Sequence, residues 1–464
     1  MKSPEKEHKR KASEKTERAK QFYESDEISR QLPGKKDYTI VRSIGKTQKK
    51  QKREMMMIVE EAHKVFQEKL PENLISRSQF AKIRPKHVIS VTKARQNVCC
   101  CIYCENMSLF FATVKPYLSQ PSEIMNMNSL LQLLICKDDS YNCGIGDCSD
   151  CKNFFGKASQ MFLQNHFEDG INFLQWTRNE KTGFTEKKNS VDIKTVGDAF
   201  KWFECSFKSF KRHKFLVKVQ RRSIDGQRDS LSDNEAMVIM DFSENFSSKS
   251  QNDVQQAFFG KNQIGLFTAV GWIGTKKKKA TFIMANGDHT HSKQQVFYYM
   301  KLIVKELKEI NPQLDYVRFV TDGAASQFKN RFILSTLLTA ERDFGLKCQW
   351  DFFPTSHGKS PADGLGETIK RGVESRIFSG KFEVYFLKEF IECSKTFCKS
   401  TKLYSVSKED TKSTYQELEI RWKKTKPMNG IRSLHHFKPS EDGKILIGAV
   451  TSQMDGTITF KNLK

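Results

Sequence analysis

The sequence predicts an α/β chain built on a mixed sheet, with a helical, cysteine-rich N-terminal region and a small C-terminal extension. Three observations carry that prediction. Short apolar runs in the second half, at 236–242 (AMVIMDF), 265–273 (GLFTAVGWI), 280–285 (ATFIMA) and 348–353, are strand-like and alternate with longer segments of helical period. Eight of the twelve cysteines fall between Cys99 and Cys151, which in a reducing compartment points to metal rather than to disulfides. Across 464 residues, 78 Lys and Arg against 54 Asp and Glu leave a formal charge of +24, which favours a polyanionic partner, nucleic acid first. No apolar run approaches the ~20 residues needed to span a bilayer, and the basic N-terminus lacks a signal-peptide core, so an intracellular, soluble protein is expected.

Taken in order, residues 1–54 are charged, mixed in sign and poor in apolar periodicity. They read as a disordered basic arm whose Lys/Arg knots suit nuclear entry or phosphate contact. Residues 55–95 turn helical, with Ile58, Val59, Ala62, Val65 and Phe66 at i, i+3, i+4 spacing and a second short helix near 78–83. Such a pair is either a helix-turn-helix reader or a packed support. Residues 96–155 form the cysteine region. Cys101 and Cys104, and again Cys148 and Cys151, have the two-residue gap that turns both sulfurs toward one ion, and four thiolates make a closed zinc site. Cys136 and Cys143 are alternates, and a helix near 130–135 would lie between the two knuckles. In the connecting region 156–232, Val191, Val196, Phe200, Phe203, Phe207 and Phe210 make a core-facing stripe on a helix over 191–213. Lys201, Lys208, Lys211 and Arg212 lie between them as candidate phosphate contacts, and a strand is expected over 214–222.

Residues 233–380 carry the candidate catalytic acids. Asp241 ends the first apolar run, and Asp322 ends the alternating run at 316–321, each placed at the C-terminal lip of a strand. A helix is expected over 293–310 and another over 327–343, capped by Ser326; a last one starts at Ser360-Pro361. Strand, strand, strand, helix, strand, helix, strand, helix is the order of the ribonuclease-H-like fold, in which Asp241 and Asp322 meet although 81 positions apart. The last helix offers a third acid. Asp363 sits where a capping box places its acidic partner, and Glu367 stands one turn on, so the residues leave both open. Three converging carboxylates repel unless cations lie among them. Hard oxygen ligands suit Mg²⁺ or Mn²⁺, and two such ions ~4 Å apart stabilise the attacking and leaving oxygens of a phosphoryl displacement. His357, just before the helix, is an auxiliary candidate for a phosphate or the attacking water. Residues 381–464 read as a helix over 385–397, a polar stretch and a small strand pair in 444–460.

The motifs DFSEN at Asp241–Asn245, VTDGAASQFKNR at Val320–Arg331 and TSHGKSPADGLGETIKR at Thr355–Arg371 resemble the transposases of eukaryotic cut-and-paste DNA transposons, the DDE/D superfamily. The resemblance is strongest over 236–372 and weaker at RPKHV (84–88), the cysteine segment and HHF (435–437). It implies metal binding by Asp241, Asp322 and Asp363, with Glu367 as second choice for the third acid. It implies double-stranded DNA as partner, at transposon ends and target, with Lys211, Arg212, Lys329, Lys370 and Arg371 as candidate contacts. A homodimer or larger synaptic assembly and a nuclear location go with it. The SHDK-like residues usual in the group are replaced around His289–Lys293, and a serine stands at Ser243, neither at a proposed ligand. Two alternatives stay beside strand cleavage and transfer: a catalytically silent DNA-binding derivative, and a nuclease of the same fold without strand transfer.

Overall fold

The first 99 residues, expected to begin as a disordered arm, form a folded unit of their own in the computed structural model, and Cys100–Lys464 form a second. The structure describes residues 4–25, 28–31, 38–43, 46–55, 59–72, 74–90, 101–119, 127–135, 140–145, 148–149, 160, 162–180, 182–248, 250, 261–288, 290–461 and 463. In the first unit, helix α1 (Pro4–Glu24) hides a short stripe of Ala19, Phe22 and Tyr23 in its charged sequence. Strands β1 (Ser29–Gln31), β2 (Tyr38–Ser43), β3 (Lys46–Gln51) and β4 (Arg53–Met55) follow, then α2 (Val59–Lys69), α3 (Arg77–Ile83) and β5 (Val88–Ile89). Tyr23 stacks on Phe80 at 4.5 Å and Phe22 meets Phe66 edge-on at 5.1 Å, so α1 is pinned to α2 and α3 by aromatic burial. Both later helices spend their apolar faces on this core, as a packed support does.

The second unit opens with α4 (Ile102–Val114), α5 (Met127–Leu134) and α6 (Tyr141–Ile145), then the hairpin of β6 (Leu174–Arg178) and β7 (Thr185–Asn189). Helix α7 (Val196–Asp229) is a single run of 34 residues, started by a capping box between Thr195 and Asp198. The strand expected over 214–222 is therefore part of this helix. Its buried residues Phe203, Phe207, Phe210, Leu216, Val219, Gln220 and Ile224 keep a helical period throughout, which a short window of mixed Lys, Val and Phe conceals. Phe110 of α4 stacks on Phe203 of α7 at 4.7 Å inside a separate aromatic core.

A nine-stranded mixed sheet follows. Strands β8 (Glu235–Ser247), β9 (Gln263–Ile273) and β10 (Lys278–Asn286) lead to α8 (Lys293–Ile310) and β11 (Tyr316–Thr321). Then come α9 (Arg331–Thr336), α10 (Ala340–Phe344), β12 (Lys347–Phe352), α11 (Pro361–Phe378), α12 (Leu387–Lys395), β13 (Thr401–Val406), α13 (Lys408–Trp422), β14 (His436–Pro439), β15 (Leu446–Ala449) and β16 (Ile458–Phe460). The strand order is β13-β10-β9-β8-β11-β12-β14-β15-β16. Strands β8, β9 and β10 are antiparallel neighbours, while β11 runs parallel to β8 and β12 parallel to β11.

Both faces of β8 are covered, which is why its sequence is continuously apolar. Ala236, Val238 and Met240 enter the core shared with α8, and Met237 and Ile239 enter the opposite cluster. The helix expected over 327–343 is broken into α9 and α10, and Asn330 rather than Ser326 caps it, accepting from the N–H groups of Phe332 and Ile333. Thr336 and Thr339 donate back to the carbonyls of Ile333 and Thr336, a habit that bends helices. The C-terminal strands widen the sheet on both sides, β13 beside β10 and β14 to β16 beside β12.

Candidate functional site

Asp241 does not end its strand. β8 runs on to Ser247 with an irregularity between Ser243 and Phe246, but its pairing with β11 stops at Val320 opposite Ile239. Asp322 follows at the same 81-residue offset as every pair of that ladder, so the two acids stand level where the strands part. Ile239, Val320, Phe353 and Ala362 share one small apolar cluster. Period-two alternation puts Asp241 on the face of Ile239 and Asp322 on the face of Val320, while Asp363 follows Ala362 directly. Helix α11 is drawn in by Thr268, the β9 partner of Asp241, whose hydroxyl donates to the Ala362 carbonyl at 3.0 Å. Gly366 makes that approach possible, because a Cβ there would lie 2.5 Å from the Ser243 hydroxyl oxygen.

The electrostatics record the convergence. Burial, then the charges of Asp322 and Asp363, push the Asp241 carboxyl up to about 8. Burial raises Asp322 as well, opposed by the Ala324 N–H that donates to it at 3.1 Å and aided by the charge of Asp363. Asp363 does both jobs the sequence offered. Its Oδ2 accepts from the Ser360 N–H at 2.8 Å and the Ser360 hydroxyl at 3.1 Å, closing the helix, while its charge bears on both other acids. Glu367 stands apart. It pairs with Lys370 at 2.7 Å and Arg371 at 3.8 Å, and the Lys370 hydrogen bond holds it below the usual range. The structure thus gathers Asp241, Asp322 and Asp363 and leaves Glu367 outside.

A second group joins α4 and α7 to the loop that enters α11. Cys101, at the N-cap of α4, and Cys104 on its first turn meet His213 of α7 and His357, with their ligand atoms all within 4.8 Å of one another. Among the described residues this set could hold a metal ion, and it differs from the expected four-cysteine site. Cys148 is half-buried and does not belong to it, and Cys143 is buried in α6; Cys136 and Cys151 lie outside the described residues. His357, expected near a phosphate or water, faces the sulfurs instead. Sequence reasoning missed His213, a single histidine at the end of a basic run, because no spacing ties it to cysteines 112 and 109 positions away.

The candidate nucleic-acid contacts divide by burial. Lys211 and Lys329 are buried, and the Lys329 ammonium donates to the Arg432 carbonyl at 3.0 Å while burial pulls it down to about 8. Neither is placed to track a phosphate backbone, because each fills a packed site. Lys370 is committed to Glu367, Arg212 is half-buried, and Arg371 is exposed. Lys201, Lys208, Lys218, Arg221 and Arg222 give α7 its exposed positive charge. The His435–Phe437 motif serves the sheet: His436 Nδ1 pairs with buried Asp351 at 2.8 Å, and His435 contacts the Val450 carbonyl at 3.0 Å.

Comparison with known proteins adds families without an assigned role. The model of the Domain of unknown function (DUF8701) matches residues 220–451, half of the chain. The Domain of unknown function (DUF8699) matches 11–92 and the Domain of unknown function (DUF8700) matches 102–196, one in each compact unit. No curated protein matches the chain. A solved structure described as the crystal structure of NurA with manganese aligns at 11% identity and a TM-score of 0.15, over 54% of this chain and 50% of that one. The alignment thus spans half the length of that structure.

Proposed function

The chain belongs to the family of the Domain of unknown function (DUF8701), and for that domain we propose a divalent-metal-dependent polynucleotidyl transferase of the DDE/D transposase type, cutting DNA at transposon ends and joining it by strand transfer. The observation that carries the proposal is the gathering of Asp241, Asp322 and Asp363 at one point of the sheet, from two strands and a helix that no short motif connects. The central strands β10-β9-β8-β11-β12 stand in the third, second, first, fourth, fifth order of a ribonuclease-H-like core, which supports the same reading. The mutual repulsion written into the carboxyl of Asp241 is what a pair of Mg²⁺ or Mn²⁺ ions would relieve.

In this reading Asp241, Asp322 and Asp363 would hold the ions, which would supply a nucleophile from water or a 3′-hydroxyl and stabilise the departing oxygen. Asp241 stands level with Asp322, which is oriented by the Ala324 N–H, and Asp363 is oriented by its capping bonds to Ser360. The +24 charge and the exposed lysines and arginines of α7 suit double-stranded DNA, and a synaptic dimer in the nucleus completes the reading. Incubation of the purified chain with candidate transposon-end duplexes and Mn²⁺ tests it. Cleavage and joining products are expected from the wild type and from Glu367→Gln, and none from Asp322→Ala. Products that persist in both Asp241→Ala and Asp322→Ala sink the site; cleavage without joining favours the nuclease alternative, and binding without cleavage favours the silent derivative.

A further inference from the structure

We infer that Cys101, Cys104, His213 and His357 bind one zinc ion, and that this ion fixes the loop between β12 and α11 on which the acid site depends. The first half stands on the cluster itself; the second rests on the acid-site reading above. A tetrahedral ion with two Zn–S bonds near 2.3 Å and two Zn–N bonds near 2.0 Å spaces its ligand atoms by roughly 3.3–3.8 Å. The observed edges are 3.2 Å from Cys101 Sγ to His213 Nε2, 3.7 Å from Cys104 Sγ to His357 Nε2, and 3.1 Å between the two Nε2 atoms. Two sulfurs and two ring nitrogens aimed at one point are a soft, nitrogen-rich donor set, which selects zinc over Mg²⁺ or Ca²⁺. Four protein ligands leave no open position, so the ion is structural.

Its mechanical role follows from what the loop touches. Phe353 leaves β12 with its N–H on the Thr321 carbonyl at 2.8 Å. Pro354 and His357 close a turn through a 2.9 Å backbone hydrogen bond, and Ser356 in that turn has a positive φ of 60°, which a non-glycine residue adopts at a cost. Gly358 lies against Asp322, where a Cβ would sit 3.3 Å from the Asp322 Cβ. Arg221 of α7 donates to the Lys359 carbonyl at 3.5 Å, and Ser360 starts α11 with Asp363 as its capping partner. His357 is therefore bonded to metal one residue before the wall of Asp322 and six before Asp363. Zinc would hold α4 and α7 to the loop that sets the spacing of two of the three acids, as an outer shell of ligands holds an inner one.

The test reads zinc and manganese separately on the full chain. Protein purified without chelator is expected to carry about one zinc, and Co²⁺ in its place to show the visible bands of a tetrahedral S₂N₂ site. His357→Gln is expected to lose the zinc and to weaken Mn²⁺ binding, followed by the free-Mn²⁺ resonance signal, by about tenfold or more. His357→Cys, which restores a fourth soft ligand, is expected to keep both, and Cys148→Ser to change neither. Wild-type protein without zinc that takes up no Co²⁺ overturns the site without recourse to any variant. Zinc retained in a His213→Ala, His357→Ala double variant overturns the ligand assignment. Zinc lost with Mn²⁺ affinity unchanged overturns the positioning role and leaves the acid reading standing. A zinc-loaded chain that binds no Mn²⁺ overturns the acid reading and with it the positioning role, while the Co²⁺ spectrum still decides the zinc ligands.

Discussion

Replacing Asp241 by Asn should make the metal-free protein more stable and the metal-bound protein less so. The carboxyl is held at about 8 against an ordinary value of 3.8 by burial first and by the charges of Asp322 and Asp363 second. Because the folded-state value is raised, the stability linked to this group is fully present below about pH 4 and is lost as the pH rises through 8. The span between the two values corresponds to at most roughly 6 kcal/mol, at ~1.4 kcal/mol per pKa unit. Asn keeps the shape and removes the titration, so Asp241→Asn should gain of the order of 2–4 kcal/mol over wild type near pH 8.5 and little near pH 4 in metal-free buffer. Urea denaturation at several pH values measures it. Adding Mn²⁺ to 100 times its dissociation constant should then stabilise the wild type by about 2.7 kcal/mol and the variant much less. Equal destabilisation of Asp241→Asn at both pH extremes, together with as large a gain from Mn²⁺ as the wild type shows, would refute both the buried repulsion and the metal role of Asp241.

Other consequences follow from named contacts. Gly366→Val should push α11 off Ser243, costing about 1–3 kcal/mol by thermal or urea melting and lowering any cleavage activity, and Ser243→Gly in the same chain should return part of both. His436→Leu should cost about 3–5 kcal/mol, because it removes the ion-pair partner of fully buried Asp351 and leaves the carboxylate only the hydrogen bonds of Ser452 and Gln349, and Asp351→Asn with His436→Leu should recover much of that loss. Lys208→Glu with Lys218→Glu should weaken duplex DNA binding and flatten its salt dependence by about 2 in the log–log slope, read by fluorescence anisotropy, without moving the urea midpoint by more than ~0.5 kcal/mol. An unchanged salt slope would remove α7 from the DNA path.

Short apolar runs, the alternation at 316–321 and helical spacing in the sequence specified the inner strands, the helix over 293–310 and the start of α11, because each segment's burial pattern is written locally in its own residues. The sequence also named Asp241 and Asp322, while for the third acid the residues alone left Asp363 and Glu367 open and the family resemblance put Asp363 first. Tertiary structure separated them: Gly366 lets α11 approach β8, so the charge of Asp363 bears on Asp241 and Asp322 while Glu367 meets Lys370. The N-terminal arm was misread because three apolar residues among many charges suffice when aromatic partners wait on α2 and α3. The strand expected after His213 vanished into α7 because the far side of that helix is buried by the sheet, which no window of nine residues reveals. The metal group shows the division most plainly. Local spacing supplied Cys101 and Cys104, since a two-residue gap is a property of the chain; His213 and His357 joined them only through folding, which brings together residues up to 256 positions apart whose geometry has no local signature.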